Sequence, residues 1–355
     1  MANEERSVRT LISGGLGLVG VNYSSHRLKR GDRVCVLDNG TRGKSNQVNA
    51  EWLRGHPEAS NLVLYNGDVT KMSDIETAVD LLGGVDVMIH AAAQSSVNKS
   101  MEDPRLDFET NVVGTFNVLE FLRRQYPRAR FVFMASNKIY ETSLWSVDKH
   151  ETRYSWADRQ GPSDDIPFYT DAREPYGASK ISGFYYSRCY AAMYNMPVSI
   201  VVPSGMTGER QYGRMEQGWV GWFSIATLLG LPLTVLGDGL QVRDLVYTDD
   251  VCVALDLVVD LAVKYPGEVY NLGGGPDNSI SLKEALVIIE DELGLKATVT
   301  YEAWRPQDNK VYVSNIDKLQ RFGWKPGVVL EQTIRRVCQW VKANRGVLEH
   351  LYGKP

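Results

Sequence analysis

A glycine-rich loop near the start of the chain constrains the fold more than any other feature. The apolar run Arg9–Ser13 leads directly into Gly14-Gly15-Leu16-Gly17-Leu18-Val19-Gly20, and a helical pattern follows. In phosphate-binding loops such glycines provide a tight turn, a close approach of the backbone to the anion, and helix–strand packing. Gly14, Gly17 and Gly20 fit these three roles. Since the chain has 32 glycines, the alternative is a loop that only turns the chain.

An acidic residue at the end of the second predicted strand supports the phosphate-loop interpretation. Val34-Cys35-Val36-Leu37 ends at Asp38, which stands 18 residues after Gly20. A spacing of about 20 residues is typical of dinucleotide-binding units. A carboxylate at this point accepts hydrogen bonds from the adenosine ribose and repels a 2′-phosphate. The pattern therefore favours NAD over NADP, with the nearby Arg42 as the one opposing feature.

Short apolar runs without polar alternation recur through the first two-thirds of the chain. Such runs are typical of strands buried on both faces of a parallel sheet. The predicted strands are Arg9–Ser13, Arg33–Leu37, Leu62–Tyr65, Val85–Ala91, Arg130–Ala135 and Val198–Val202. Helical patterns lie between them, for example Leu106–Leu122, with an apolar stripe at Phe108, Val112, Phe116, Leu119 and Leu122. This order predicts an α/β fold with a Rossmann-type doubly wound parallel sheet.

The sequence changes in character near residue 203, where glycine, proline and tryptophan become frequent. We therefore predict a dinucleotide-binding domain over 1–203 and a smaller C-terminal α/β substrate lobe, interleaved with it, over 204–355. One strand near 268–272 is predicted to return to the main sheet. Ser281-Leu282-Lys283-Glu284 has the pattern of a capping box that opens a helix over Leu282–Leu293, and Arg335–Asn344 predicts a closing helix.

Composition and charge exclude several classes of protein. The 39 Lys and Arg against 43 Asp and Glu give a formal net charge of −4, without the basic block that nucleic-acid binding needs. No apolar stretch approaches the roughly 20 residues that span a membrane, because Asp256 and Asp260 interrupt Val251–Val263. The acidic N-terminus has no signal-peptide pattern, so we expect a cytoplasmic location.

The cysteines and histidines predict neither disulfides nor a metal site. Cys35, Cys189, Cys252 and Cys338 are far apart and stand in apolar contexts, so four reduced and buried thiols are expected. The five histidines have no metal-ligand spacing.

A serine, a tyrosine and a lysine form the predicted catalytic group. Ser136 follows the fifth strand, and 40 residues later Tyr176 opens a helix that carries Lys180 four residues on. This spacing places the tyrosine and the lysine on one helix face. A phenol with a pKa near 10 is a poor base at neutral pH, and a neighbouring ammonium stabilises its phenolate. The alternative for a Tyr-x-x-x-Lys pair alone is an ordinary solvated helix face.

With these residues the chain resembles the extended short-chain dehydrogenase/reductase family, whose members act on nucleotide sugars. The resemblance covers nearly the whole chain and includes Gly67-Asp68-Val69, His90-Ala91-Ala92-Ala93, Asn111-Val112-Val113-Gly114-Thr115, Gln241-Val242-Arg243-Asp244 and Arg305-Pro306-Gln307-Asp308. It implies a homodimer or homotetramer in which the helices carrying Asn111 and Tyr176 meet a second subunit. The apolar residues expected on that face are Phe116, Phe121, Phe184 and Tyr185.

The resemblance also implies which residues bind the cofactor and the substrate. The NAD site would comprise Gly14, Gly17, Leu18, Gly20, Asp38, Asn39, Asp68, Val69, Ala91, Ala92, Gln94, Asn111, Tyr176, Lys180 and Pro203. The nucleotide-sugar site would comprise Ser136, Asn137, Arg210, Gln211, Trp219, Val220, Arg243, Arg305 and Asp308. Arg243 and Arg305 are forked donors suited to a diphosphate, and a surface ion pair is the alternative for either.

Four stretches resemble the branch of the family that epimerises CDP-deoxyhexoses at C2. They are Ser136–Tyr140, Glu151–Tyr154, Arg210-Gln211 with Gln217–Phe223, and Arg305–Val313. The tryptophan-rich third stretch also fits an ordinary core helix. The chain departs from the usual family pattern in the residues that line or support the sugar pocket, namely Met134-Ala135, Glu141, Val202, Gly205 and Thr207-Gly208.

The residues beside the catalytic group favour one reaction class. Dehydratases of this family place Asp-Glu directly after the catalytic Ser or Thr, whereas this chain has Asn137 and Lys138. A net reductase commonly prefers NADPH, which Asp38 disfavours. We therefore expect an NAD-dependent nucleotide-sugar epimerase, with C2 of a CDP-deoxyhexose favoured. A UDP-hexose 4-epimerase is the alternative in chemistry, and a non-catalytic sugar-nucleotide binder is the alternative of another class.

Overall fold

The computed structural model describes residues 7–140, 142, 145–157, 161–162, 174–215, 217–304 and 308–353. The strands are β1 (Arg9–Ser13), β2 (Arg33–Asp38), β3 (Leu62–Asn66), β4 (Val87–His90), β5 (Arg130–Met134), β6 (Val147–Lys149), β7 (Tyr154–Trp156), β8 (Val198–Pro203), β9 (Met206–Thr207), β10 (Pro232–Leu236), β11 (Val242–Asp244), β12 (Val246–Tyr247), β13 (Glu268–Leu272), β14 (Ser279–Ser281), β15 (Thr298–Glu302) and β16 (Val311–Tyr312).

The helices follow the same chain order. They are α1 (Leu18–Lys29), α2 (Lys44–Arg54), α3 (Met72–Leu82), α4 (Val97–Glu102), α5 (Pro104–Phe108), α6 (Gly114–Gln125), α7 (Pro175–Tyr194), α8 (Trp219–Leu229), α9 (Thr248–Lys264), α10 (Leu282–Leu293), α11 (Asp317–Arg321), α12 (Leu330–Ala343) and α13 (Arg345–Tyr352). A π-helical turn, Glu109–Val113, joins α5 to α6.

Seven strands form the main sheet in the order β13-β8-β5-β4-β1-β2-β3. Their registers are parallel from β8 to β3. The Gly267 N–H donates to Val198 O and the Ser204 N–H to Leu272 O, so β13 also runs parallel to β8. The predicted doubly wound sheet is therefore confirmed. Its strand order reverses between β1 and β4, and ligands of such sheets bind where the strands on either side of this point end.

Two compact units divide the chain. Unit 1 comprises Met1–Ser136, Glu174–Val201 and Leu255–Val269, and unit 2 comprises Asn137–Arg173, Val202–Ala254 and Tyr270–Pro355. The chain thus passes between the units several times, whereas the sequence predicted one boundary at residue 203 and one return near 268–272. The predicted return strand is β13, at the edge of the main sheet. Which ligand each unit binds stays a prediction.

Unit 2 contains small sheets and a helical layer. Its short sheets are β10-β15, β14-β11-β16, β12-β9 and β6-β7. The capping box is present, because the Ser281 side chain accepts the Glu284 N–H while the Glu284 side chain accepts the Ser281 N–H. The helix α10 over Leu282–Leu293 is therefore confirmed, and the closing helix α12 begins five residues earlier than predicted, at Leu330.

The apolar stripe predicted for Leu106–Leu122 is wrong at Phe108 and Phe116, whereas Leu119 and Leu122 are buried as predicted. Phe108 and Phe116 are 55% and 40% exposed, whereas Asp107 and Asn111 are buried. The segment breaks into α5, the π turn and α6, and its polar side chains face inward because they hydrogen-bond with one another. A buried hydrogen-bonded network of this kind outweighs the apolar spacing that the sequence offers.

Three of the four thiols agree with the prediction and one does not. Cys35, Cys252 and Cys338 are buried, and burial raises the pKa of Cys35 to about 12. Cys189 is exposed, since it lies on the outward face of α7. None of the helices in the described part of the chain combines the length and the apolar character needed to cross a membrane.

Candidate active site

The glycine loop after β1 packs closely against its neighbours at two positions. Gly14 has φ +67°, and a Cβ atom there would lie 2.6 Å from the Ala92 nitrogen. A Cβ atom on Gly20 would lie 2.4 Å from Gly15 Cα. The chain's own packing therefore requires glycine at both positions, and at Gly14 the left-handed backbone requires it as well.

Gly17 is less crowded by the surrounding chain than Gly14 and Gly20 are. A Cβ atom would meet only the Gly14 carbonyl oxygen, at 3.3 Å. Gly17 is also the N-cap of α1, whose first turn receives no side-chain cap. The free N–H groups and positive end of a helix dipole favour an anion, and glycine lets a pyrophosphate approach the backbone. The loop therefore fits the dinucleotide that the sequence predicts.

The Asp38 carboxylate is oriented by three donors beside the loop. The Leu16 N–H donates to Oδ2 over 3.0 Å, while the Gly40 N–H and Asn46 Nδ2 donate to Oδ1 over 2.9 and 2.7 Å. The two oxygens of a carboxylate offer about four acceptor positions. One position thus remains for a ribose hydroxyl.

Residues that follow β2 and β3 form a second hydrogen-bonded group. Asn39 Nδ2 donates to Asp68 Oδ2 over 3.1 Å, and the Thr70 N–H donates to Asp68 Oδ1 over 2.9 Å. Burial raises the pKa of Asp68, but these hydrogen bonds lower it by a larger amount. The pKa of Asp68 therefore lies below its usual value. Arg42 Nη2 donates to Ser95 Oγ over 3.1 Å.

Ser136, Tyr176 and Lys180 lie together in unit 1. Ser136 follows β5, and the other two lie on the first turns of α7. The Ser136 and Tyr176 side chains are hydrogen-bonded to each other. Lys180 Nζ donates to Met134 O over 2.9 Å and lies 5.2 Å from the centroid of the Phe133 ring. The structure therefore brings the three predicted catalytic residues together at the carboxyl end of β5.

Burial determines the ionisation of this group. It raises the pKa of Tyr176 to about 12, the hydrogen bond from Ser136 opposes that shift, and the charges of Asp107 and Glu174 add to it. Burial lowers the pKa of Lys180 to about 8, and the charge of Asp107 opposes that shift. At neutral pH the phenol is therefore protonated and the ammonium is charged. A cation placed beside the phenol would favour the phenolate.

Asn111 connects the loop after β4, the π turn and α7. Its Nδ2 lies 3.0 Å from each of three acceptors, Gln94 O, Asp107 Oδ1 and Ser179 Oγ. Its Oδ1 accepts the Gln94 N–H over 2.8 Å. Ser179 Oγ in turn donates to Tyr176 O over 2.9 Å. A π turn changes the helical hydrogen-bond ladder and is frequent at functional sites, and here it carries the residue that fixes the start of α7.

His90, at the end of β4, is buried and neutral. Its ring nitrogens lie 2.7 Å from Ser13 Oγ and 3.0 Å from Thr115 Oγ1. Burial lowers the pKa of His90 to about 3, and the charge of Lys180 acts in the same direction. The imidazole therefore links β1, β4 and α6 without titrating in the working pH range.

Arg243 and Asp308 form an ion pair in unit 2. Arg243 Nη2 lies 2.9 Å from Asp308 Oδ1, and Nη1 donates to Val242 O over 2.8 Å. Two of the predicted substrate residues thus meet, and the guanidinium is held in one orientation. Arg305 lies outside the described residues, as does Glu141 among the departures from the family pattern.

Arg210 and Gln211, two further predicted substrate residues, are adjacent in the sequence. Arg210 has φ +62°, which is uncommon for a residue with a side chain, and burial lowers its pKa. Gln211 Oε1 accepts a hydrogen bond from Thr207 Oγ1 over 2.6 Å, and its Nε2 donates to Met206 O over 3.0 Å. The Gln211 side chain therefore holds the segment Met206–Thr207 in place. The resemblance to the family implies that Gln211 also contacts the substrate, which stays a prediction.

The remaining predicted residues lie at the ends of elements. Those expected at the cofactor follow β3 and β4, open α1 or end β8, and they are Leu18, Val69, Ala91, Ala92 and Pro203. Those expected at the substrate are Asn137, which opens a 3-10 turn, and Trp219 and Val220, which open α8. Val220 is buried.

Sequence reasoning missed Asn46 and Asn49, which support the glycine loop from α2. Asn46 orients Asp38, and Asn49 Nδ2 donates to Leu16 O over 2.9 Å. Both are buried. The available signal was a pair of asparagines three residues apart, on the face of α2 that also buries Ala50 and Leu53. Sequence reasoning also missed Asp107, which is buried and accepts a hydrogen bond from Asn111.

Several known proteins resemble this chain over nearly all of its length. It is 30% identical over 343 residues to CDP-paratose 2-epimerase of Salmonella typhi, which covers 95% of this chain and 100% of that protein. It is 32% identical over 337 residues to the putative UDP-glucose 4-epimerase of Methanocaldococcus jannaschii, which covers 94% and 98%.

A solved structure and a family model agree with these relatives. The crystal structure of Thermus thermophilus UDP-glucose 4-epimerase in complex with NAD superposes with a TM-score of 0.77 at 28% identity, over 94% of this chain and 99% of that one. The model of the NAD dependent epimerase/dehydratase family matches residues 10–273. The resemblance seen in the sequence is confirmed, and the chain belongs to the NAD dependent epimerase/dehydratase family, with NAD as its cofactor.

Proposed function

We propose that the protein epimerises a nucleotide sugar, with CDP-paratose, converted at C2 into CDP-tyvelose, or a close analogue as its substrate. The observation that carries the proposal is the buried group of Ser136, Tyr176 and Lys180 at the end of β5. The choice of base and sugar is supported by the likeness to CDP-paratose 2-epimerase along the full length of that protein.

In the proposed reaction Tyr176 takes the proton of a sugar hydroxyl and later returns it. Bound NAD supplies an acceptor, and then a donor, of hydride at the sugar carbon. Lys180 stabilises the phenolate electrostatically, which offsets the effect of burial on Tyr176. Ser136 donates a hydrogen bond to the sugar oxygen as that oxygen becomes a carbonyl. A turn of the keto-sugar between the two transfers inverts the carbon.

Epimerisation is favoured over dehydration because of what stands next to Ser136. A dehydratase must also remove a carbon-bound proton and expel a hydroxyl, for which acidic side chains are suited. Asn137 and Lys138 occupy these positions, and neither supplies a carboxyl group.

We further propose that unit 1 binds NAD and that unit 2 binds the nucleotide diphosphate of the substrate. In unit 1 the support is the open glycine at position 17 and the oriented carboxylate of Asp38. In unit 2 it is the fixed guanidinium of Arg243, with Arg210 and Arg305 as further donors to the phosphates.

A homodimer or homotetramer is proposed from exposed apolar side chains on α6 and α7. Phe116, Tyr185 and Tyr186 are each 40% exposed or more, and the rings of Phe116 and Tyr186 lie 5.8 Å apart. The predicted contribution of Phe121 and Phe184 is wrong, because both face the core of unit 1 and are buried. A cytoplasmic location stays a prediction from the sequence.

A UDP-hexose 4-epimerase is the second candidate. It is favoured by the 32% identity to the putative enzyme of Methanocaldococcus jannaschii and by the superposition on the Thermus thermophilus enzyme. The same three catalytic residues would serve either carbon, so the difference lies in the sugar pocket.

A panel of nucleotide sugars separates these reactions. The purified protein is incubated with CDP-paratose, UDP-glucose and dTDP-glucose, and the products are identified by proton NMR couplings after chromatography. We expect conversion of CDP-paratose to CDP-tyvelose at a rate above that of UDP-glucose to UDP-galactose. The reverse order supports the second candidate, and a 4-keto-6-deoxy product from dTDP-glucose contradicts epimerisation. Binding without turnover of any sugar indicates the non-catalytic alternative.

A further inference from the structure

The short helix α5 is oriented against its hydrophobic pattern. Its flanking residues Leu106 and Phe108 are exposed, and Asp107 is its one buried residue, at 1% exposure. Burying a carboxylate is costly unless it is hydrogen-bonded and compensated by a positive charge. The orientation of α5 therefore needs a reason beyond packing.

One oxygen of Asp107 explains part of this burial. Oδ1 accepts hydrogen bonds from Gln94 Nε2 and Asn111 Nδ2, each over 3.0 Å. Through Asn111 and Ser179 these bonds continue to the backbone carbonyl of Tyr176. Asp107 is thus the origin of a chain of hydrogen bonds that holds the first turn of α7.

The other oxygen, Oδ2, is buried. The Ser179 hydroxyl lies close enough to act on the carboxylate, and it also donates to Tyr176 O. Burial raises the pKa of Asp107, and the hydrogen bonds of Ser179 and Gln94 and the charge of Lys180 oppose that shift.

The other charged groups around this region are few. Glu174 acts on Tyr176, and His90, whose pKa is lowered by burial and by Lys180, is neutral. The charged residues of α4, α5 and the π turn, which are Lys99, Glu102, Arg105 and Glu109, are exposed or half-exposed to water.

We propose that Asp107 is a positioning residue, whose buried carboxylate fixes Asn111 and supplies the counter-charge of Lys180. Its importance for turnover rests on the proposed function, whereas its effect on Lys180 does not. The charge of Asp107 acts on both Lys180 and Tyr176. It favours the protonated ammonium, and it disfavours the Tyr176 phenolate. Both groups therefore titrate at higher pH than they would with a neutral residue at position 107.

The variant Asp107→Asn tests this, because asparagine keeps the shape and one acceptor oxygen but removes the charge. Lysines are labelled with 13C at Cε, and the Lys180 signal is identified by its loss in Lys180→Met. We expect the pKa of Lys180, about 8 in the native chain, to fall by roughly 1 unit in Asp107→Asn. The pH profile of turnover has one limb from Lys180 and one from Tyr176, and both limbs should move to lower pH.

Asp103→Asn is the matched control. Asp103 is exposed, caps the same helix through the Leu106 N–H, and asparagine is an equally good cap. We expect an unchanged Lys180 pKa in this variant. An unchanged Lys180 pKa in folded Asp107→Asn overturns the proposal, even if the protein turns over CDP-paratose as proposed. A shifted pKa without any turnover supports the charge role of Asp107 and refutes the proposed function instead.

A second measurement needs no substitution in the core. In the wild-type protein the Lys180 Cε signal is followed from pH 9 downward while the fold is monitored by circular dichroism. Protonation of Asp107 should move the signal a second time before the protein unfolds. A single titration step over that range contradicts the proposal, and it does so even if Asp107→Asn fails to fold.

Discussion

At the residue scale, the glycines of the loop after β1 are required for two different reasons. Gly14 and Gly20 leave no room for a Cβ atom against their own chain, and Gly14 also has a left-handed backbone. A Cβ atom on Gly17 would lie 3.3 Å from the Gly14 carbonyl oxygen, which a small shift of the loop relieves. We therefore attribute glycine at this position to the proposed cofactor, and glycine at the other two positions to the packing of the loop.

The substitution Gly17→Ala is predicted to leave folding intact and to weaken NAD binding at least about tenfold, a loss of about 1.4 kcal/mol. The added methyl group would occupy the space into which the pyrophosphate fits. Calorimetric titration with NAD and thermal melting measure the two effects. Gly346→Ala, at a helical position with nothing within 4 Å, is the control: it should leave NAD affinity unchanged and keep or slightly raise the melting temperature. Wild-type NAD affinity in Gly17→Ala would contradict the assignment.

Removing the phenolic oxygen of Tyr176 is predicted to lower kcat about 10²- to 10⁴-fold, the usual contribution of a general acid or base. NAD content should stay near that of the wild type, because the ring remains. Tyr190→Phe is the control, since Tyr190 is a buried tyrosine of the same helix that binds Glu120. Full turnover by Tyr176→Phe would refute its role in proton transfer.

At the scale of elements, the strands were predictable and the helix around Asn111 was not. The buried strands are short apolar runs between turn residues, and β1 has the predicted bounds. The stripe of Phe108 and Phe116 failed because hydrogen bonds among Asp107, Asn111 and Ser179 decide which face is buried. Such a network depends on residues far apart in the chain, which local periodicity does not reveal.

Asp256 on α9 is predicted to make stability depend on pH. Its carboxylate binds Tyr23, His26, Arg27 and Arg30 of α1. Burial raises the pKa of Asp256, but these partners lower it to about 2. Since the folded pKa lies below the unfolded value of 3.8, the stabilisation is present above about pH 4 and is lost as pH falls towards 2.

Urea unfolding of Asp256→Asn measures this contribution. We expect the variant to be less stable than the wild type by roughly 2 kcal/mol at pH 7, and the difference to shrink below pH 4. Asp260→Asn, one turn further along α9 and bound only to Arg130 in the described structure, should cost much less. A difference that stays constant from pH 7 to pH 2.5 would contradict the assigned pKa.

At the scale of the whole molecule, the grouping of Ser136, Tyr176 and Lys180 was predictable from the sequence, because the serine follows a strand and the other two stand four residues apart on one helix. The extent of each unit was not predictable. The chain re-enters unit 1 at Leu255, in the middle of α9, and stays there up to Val269. Asp107 was hidden for a similar reason, since its burial depends on the packing of α5 against α7.

The proposed oligomer makes a prediction at this scale. The double variant Phe116→Glu with Tyr186→Glu places two charges on the exposed apolar face, and we expect it to be monomeric by light scattering. Val287→Glu adds a charge at an exposed apolar position of α10 and should keep the wild-type mass. A wild-type protein that is already monomeric would refute the oligomer.

Return of the same hydrogen to the sugar carbon is the central claim about the reaction. The most direct test is turnover of CDP-paratose in deuterated water, with the sugar product analysed by proton NMR and mass spectrometry. We predict CDP-tyvelose without deuterium on any sugar carbon and without net change in the redox state of NAD. Deuterium at C2 of the product would indicate removal of a carbon-bound proton and would contradict the account.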